Sequence, residues 1–186
     1  MKYNIALVLA LGLSANAFAD SYSIDPKHTY PVFEVSHLGF STQRGRFDKV
    51  SGKVVLDPAA GTGSIDVTID TNSIDMGFEE WNEHMRDAKF FNTKQFPTMT
   101  FKADKIGYVD GKPYSAAGTL TLLGVSKPVT LTISRVNCGI HPMLRKEMCG
   151  ADVSTTLKRS DFGMSAYVPA VGDEIRINIA IEAYKD

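Results

Sequence analysis

Four stretches of this chain alternate apolar and polar residues with a period of two, and no other feature confines the fold so tightly. Over residues 64–70 the apolar positions are Ile65, Val67 and Ile69; over 98–103 they are Met99 and Phe101. Over 129–134 they are Val129, Leu131 and Ile133, and over 175–182 they are Ile175, Ile177, Ile179 and Ile181. Successive side chains of a strand point to opposite faces, so each stretch has one dry face and one wet face. Burial on one side only is the habit of antiparallel sheets. Turn chemistry separates the stretches. Residues 57–61 read Asp-Pro-Ala-Ala-Gly, Asp110-Gly111 suits the positive φ of a tight hairpin, Gly124 follows a strand-like run, and Gly172-Asp173 opens the last strand. About eight strands at such short intervals predict an all-β barrel or sandwich.

One segment departs from this pattern. Between residues 78 and 88 the apolar positions Phe78, Trp81, Met85 and Ala88 fall on one stripe of a helix. Glu79 and Glu80 stand in its first turn, where the helix dipole favours negative charge. A short amphipathic helix in an all-β chain suits a cover over one end of a barrel.

The start of the chain speaks to its compartment. Lys2 precedes an apolar run from Ile5 to Leu13, and Ala17-Phe18-Ala19 has the small-x-small form of a cleavage site. These are the parts of a secretory signal peptide over residues 1–19, predicting a mature domain over 20–186 in the periplasm or outside the cell. The apolar run is far shorter than the roughly 20 residues of a membrane span. No Cys sits just after the expected cut, so no stable membrane anchor is expected. The mature length suits one domain with its own core. Charge is nearly balanced, with 20 Lys and Arg against 21 Asp and Glu, which argues against a nucleic-acid partner. Cys138 and Cys149 are the two Cys. In an oxidising compartment the pair reads as a disulfide. A metal or redox pair is the rival reading, although the spacing is too wide for C-x-x-C.

No catalytic constellation emerges. There is no G-x-S-x-G elbow around Ser36, and Gly61-Thr62-Gly63 lacks the following helix of a dinucleotide fingerprint. The four His are His28, His37, His84 and His141. His37 and His84 are the two that could converge, but no local metal signature accompanies them and no metal is expected. The aromatic residues are the most informative group, being spread over many predicted elements. They suit either a filled core or the lining of a hollow, because an eight-stranded barrel can be packed by its own side chains or can hold one ligand.

Five motifs in order resemble the YceI-like family of exported bacterial proteins. They are residues 24–29 (Ile-Asp-Pro-Lys-His-Thr), 33–40 (Phe-Glu-Val-Ser-His-Leu-Gly-Phe), Gly45-Arg46-Phe47, the run from Phe90 to Phe101, and the run from Gly118 to Val129. Asn92 stands where the family often has Asp. The segment bearing Cys138 and Cys149 is absent from many members and is similar to one in the subgroup called bacterial lipocalins. The resemblance implies an extended eight-stranded antiparallel lipocalin-like barrel. Its tunnel would hold a polyisoprenoid, such as a ubiquinone tail or a polyprenyl chain, for transport, storage or sequestration, with no required cofactor and no catalysis. Parity and motifs together give the expected lining: Phe33, Val35, Leu38, Phe40, Phe47, Trp81, Met85, Phe90, Phe91, Phe96, Met99, Phe101, Leu120 and Leu122, with Phe162 and Met164 besides. A polar head would meet His37, Arg46 or His84. A homodimer through edge or helix contacts is a further expectation. The competing functions are an enzyme acting on a bound lipid or quinone, and a structural stress protein whose barrel is simply filled.

Overall fold

The computed structural model describes residues 19–186, so the expected leader, apart from Ala19, lies outside the described residues. The described residues form eleven strands: β1 Asp20–Ile24, β2 Tyr30–His37, β3 Ser41–Phe47, β4 Val50–Asp57, β5 Thr62–Asp70, β6 Ile74–Asp75, β7 Thr98–Val109, β8 Lys112–Leu122, β9 Val125–Ile140, β10 Glu147–Lys158 and β11 Val171–Lys185. The helix α1, Glu79–Arg86, falls between β6 and β7. None of the described helices is long and apolar enough to cross a membrane.

Eleven strands make eight ribbons. β1 and β2 both pair with β11, β1 at Ala183–Lys185 and β2 from Val171 to Ala180, so they are two halves of one bent ribbon. The partners break at the same level: β4 pairs with β1 while β3 pairs with β2, and β5 pairs with β4 while β6 pairs with β3. Ribbons β1/β2, β3/β4 and β5/β6 then run on through β7, β8, β9, β10 and β11, and β11 returns to β1. Every pairing is antiparallel, and apart from the closing one between β11 and the β1/β2 ribbon each joins ribbons consecutive in the chain, the barrel expected from sequence.

Residues 25–29 explain the first break. No ladder runs through them, and side chains take its place. Thr29 is buried; its hydroxyl donates to the Glu182 carbonyl at 3.1 Å and accepts from the Glu182 N–H at 3.0 Å. The Asp25 N–H donates to the same carbonyl at 2.9 Å. Asp25 in turn accepts from the Lys27 N–H at 2.9 Å and from His28 Nδ1 at 2.7 Å.

The barrel has two ends. The helix end gathers the β2–β3 turn, α1, the β8–β9 turn and residues 159–170. The far end gathers the β4–β5, β7–β8 and β9–β10 turns and both chain ends of the domain. At Asp110 and Gly111 φ is 50° and 72°, the expected tight hairpin. Leu123 and Gly124 repeat it with φ of 52° and 73°, so the turn expected at Gly124 takes both residues into the left-handed region. The last strand opens one residue earlier than expected, at Val171, and its register slips before Ile175.

The helix is shorter than its stripe. Phe78 is an extended N-cap and Ala88 lies beyond the Asp87 cap. Asn82 holds the entry, its Oδ1 accepting from the Met76 N–H at 2.7 Å. The chain then folds back under the last turn: the Phe91 N–H donates to the Met85 carbonyl at 3.0 Å and the Thr93 N–H to that of Arg86 at 3.1 Å. This return places Phe90 and Phe91 beneath α1.

Charged staples close the short seam between β1 and β11. Lys185 meets Asp20 at 2.7 Å and Glu147 at 3.2 Å, and these contacts push its ammonium up to about 12. Asp186 accepts from Ser21 at 2.6 Å, Ser23 at 2.5 Å and Lys53 at 3.0 Å, and is held at about 2. Cys138 and Cys149 face one another across β9 and β10 and are bonded, as their pairing in sequence predicts.

Candidate ligand tunnel

A closed sheet gives every inward side chain the same neighbourhood, so what fills the middle follows from side-chain size. On β5, β7 and β8 the inward residues are large and packed. Val67, Phe101 and Leu120 form one cross-strand row, and Ile69 and Met99 another. All but Val67 are buried. Beneath α1 a second aromatic group completes this half: Phe33 and Phe47 lie 6.0 Å apart, and Phe91 meets Phe47 edge-on at 5.1 Å. Gly45 lies between them because a Cβ there would collide with Met76 Sδ and the Phe33 ring. Close backbone approach of this kind needs glycine.

The opposite wall differs. Leu131 and Ile133 of β9, Leu157 of β10, and Ile175 and Ile177 of β11 face inward but are only partly buried. An inward side chain that keeps accessible surface must border free space. That space is a cavity of about 520 Å³, which also runs along Phe33, Phe101 and Leu120. At the helix end it reaches His37, Leu38, Gln43, Trp81, His84 and Tyr167. His37 lies 6.1 Å from the Trp81 ring and His84 4.9 Å from Phe90.

Of the expected lining, Phe33, Val35, Leu38, Phe47, Trp81, Met85, Phe90, Phe91, Met99, Phe101, Leu120, Leu122 and Met164 border the cavity, as do His37 and His84. Four residues do not. Phe40 is 90 % exposed at the β2–β3 turn. Phe96 sits against Gly124 at the β8–β9 turn. Phe162 is sealed at 2 % exposure in a short 3-10 turn after β10. Arg46 neighbours the inward Phe47 and so points outward, where it meets Asp48 at 2.8 Å, Asp75 at 3.4 Å and the Tyr30 ring. Phe40 and Phe96 were drawn from motifs rather than parity; for Arg46, parity alone forbids the cavity.

Sequence reading missed Arg159. It is 3 % exposed and borders the cavity at the helix end. Its guanidinium donates to the carbonyls of Gly172, Met164, Ala166 and Val171 at 2.8–2.9 Å, tying residues 159–172 into a single cap. Burial lowers its pKa, and Asp173 partly offsets this. The Asp173 carboxyl is itself held low by the Ser160 hydroxyl and N–H. No signal in the local sequence marks such a residue, because its partners are backbone carbonyls brought together by the β10–β11 connection.

Among the described residues no Asp or Glu borders the cavity, and Cys149 is bonded to Cys138. Among the described residues no lining hydroxyl is hydrogen-bonded to a histidine: Thr29 bonds Glu182 and Thr155 donates to the Thr130 carbonyl. Asp25, His28 and Glu182 do bring ligand-type atoms within 4.8 Å of one another. They lie at the kink between β1 and β2, where Asp25 is already engaged by His28 and Lys27.

Comparison with known proteins places this geometry. The YceI-like domain model matches residues 22–183, nearly the whole barrel. The chain belongs to the YceI-like family. A UPF0312 protein of Pseudomonas aeruginosa is 33 % identical over 186 residues, covering 97 % of this chain and 95 % of that one. Protein YceI of Salmonella arizonae is 32 % identical over 190 residues, covering 98 % and 97 %. Among solved structures, Burkholderia cenocepacia BcnA aligns with a TM-score of 0.73 at 26 % identity over 86 % of this chain and 98 % of its own. A polyisoprenoid binding domain from Saccharophagus degradans aligns with a TM-score of 0.66 at 19 % identity over 89 % and 98 %. At that identity the likeness to the Saccharophagus domain is one of fold.

Proposed function

We propose that this YceI-like barrel binds a long isoprenoid lipid, a quinone tail or polyprenyl chain, and carries, stores or sequesters it outside the cytoplasm. The observation that supports the reading is the hollow itself: a closed barrel with about 520 Å³ of free space along a wall of Ile, Leu and Val. Ligand sites fall in the range of roughly 300–1,000 Å³ and are mostly apolar. Each buried CH₂ contributes about 0.8 kcal/mol, so a chain of several isoprene units binds without polar contacts. The head then sits at the helix end, near His37 and His84, and is weakly selected. The same fold forms a polyisoprenoid binding domain in Saccharophagus degradans, which lends support by analogy. The Cys138–Cys149 disulfide fits an oxidising compartment. The absence of a lining nucleophile paired with a base favours holding over turnover.

Trp81 is the single Trp of the chain and borders the mouth, which makes it a reporter. Titration with a long-tailed ubiquinone should quench its fluorescence to saturation at one quinone per chain. A tail-less benzoquinone should leave it nearly unchanged. Equal quenching by both, with no saturation, contradicts the reading.

A further inference from the structure

A second space of about 310 Å³ lies at the far end of the barrel. Tyr22 of β1 and Leu56 of β4 border it from one side of the ring, Pro113 of β8 and Val136 of β9 from the side across. The same four residues border the main cavity. Side chains that border two spaces stand between them, so these four form a neck. The outer rim of the second space is wet, with Asp20, Lys112 and Asn137.

The backbone ties this part of the wall loosely. β8 follows β9 only as far as Ser115 opposite Thr132. Beyond that point β9 bulges: Arg135 has φ of 52°, and the pairing with β10 steps from Ser134–Asp152 to Asn137–Gly150. Two residues of β9 thus oppose one of β10, which bends a strand and interrupts its ladder. Val136 sits in this bulge, without a β8 partner. On the other side Pro113 has no N–H to offer the free edge. The disulfide stands beside the gap, Cys149 on the main cavity and Cys138 on the second space.

We infer that the barrel is a tunnel open at both ends, and that the neck of Tyr22, Leu56, Pro113 and Val136 passes the terminal isoprene units of a chain longer than the main cavity holds. This rests on the lipid reading above. Chain length is then limited at the neck rather than by cavity volume.

The test uses the mature protein, a series of polyprenols of increasing length, and a long polyprenol with a nitroxide at its terminal isoprene. In the wild type, ascorbate should reduce the bound nitroxide at a rate within about threefold of the free probe. Val136→Trp, with Leu56→Trp as the variant from the opposite wall, should slow that reduction and lower affinity for the longest polyprenol by about tenfold or more, given the CH₂ groups turned back into water. Affinity for the shortest should fall far less than affinity for the longest. A nitroxide that is protected in the wild type overturns the inference without any variant, and so does a length profile that neither Trp shifts. If the wild type takes up no polyprenol of any length, the lipid reading itself fails and the neck with it.

Discussion

The two halves of the barrel use different side chains for the same inward positions. On β5, β7 and β8 the residues are Ile69, Met99, Phe101, Leu120 and Leu122, all buried. On β9, β10 and β11 they are Leu131, Ile133, Leu157, Ile175 and Ile177, only partly buried. Both halves alternate with the same period and both are equally apolar. The difference is reach. The packed half carries the long Met99 and Phe101, beside rings that meet one another at Phe33, Phe47 and Phe91, whereas at these positions the open wall carries only Leu and Ile, which stay near their own strand. One half therefore serves as the folding core and the other as the wall of a hollow.

That division can be broken by truncating each half in turn. Phe101→Ala should destabilise the protein by about 3–5 kcal/mol, the range for removing a packed ring, measured by urea unfolding. A loss under about 1 kcal/mol would mean that β7 is no more closely packed than the open wall. Ile177→Ala on the open wall should cost less, about 1 kcal/mol, because little packing is lost where there is already a hollow. Its effect should appear instead as about a tenfold weaker affinity for a bound polyprenol, from the CH₂ contacts removed. Equal unfolding losses for the two variants would abolish the distinction.

The smallest effect is expected where the halves join, at the kink between β1 and β2. His28 is raised above its ordinary 6.5 by its hydrogen bond to Asp25. Burial pushes Asp25 up, but the bonds from His28 and the Lys27 N–H outweigh it and hold the carboxyl below 3.8. The Asp25 contribution is present above 3.8 and lost as pH falls through its lowered value; the His28 contribution is complete below 6.5 and lost as pH rises through its raised value. The thermal midpoint should therefore decline modestly above pH 6.5, and His28→Gln should flatten that decline while leaving the Phe101 and Ile177 effects intact. An unchanged slope in His28→Gln would detach the pair from the joint.

Much of the barrel is legible in the sequence because period two survives in single segments. Ile65, Val67 and Ile69 could be assigned to one face without knowing what they face. The merging of eleven strands into eight ribbons was not legible, because the break at residues 25–29 is bridged by Thr29 and by the distant Glu182. The site was half legible for a related reason. Parity names inward residues, and it placed Ile175, Ile177, Ile179 and Ile181 on a dry face. It does not say whether a dry face meets another side chain or empty space. Attention to the aromatic residues therefore selected the packed half well and left the Ile residues of the open wall off the expected lining. Phe40 and Phe96 sit in turns, where alternation carries no information.

The central claim is that the open wall encloses a hollow occupied by a long apolar chain, and solvent extraction addresses it most directly. The mature protein is purified from bacterial cells without added lipid, extracted into organic solvent and examined by mass spectrometry. A polyprenyl-bearing lipid recovered near one per chain from the wild type, and depleted from a Leu131→Trp variant that fills the hollow, is the result predicted. An extract free of lipid, from a protein that also takes up no added quinone, would contradict the account.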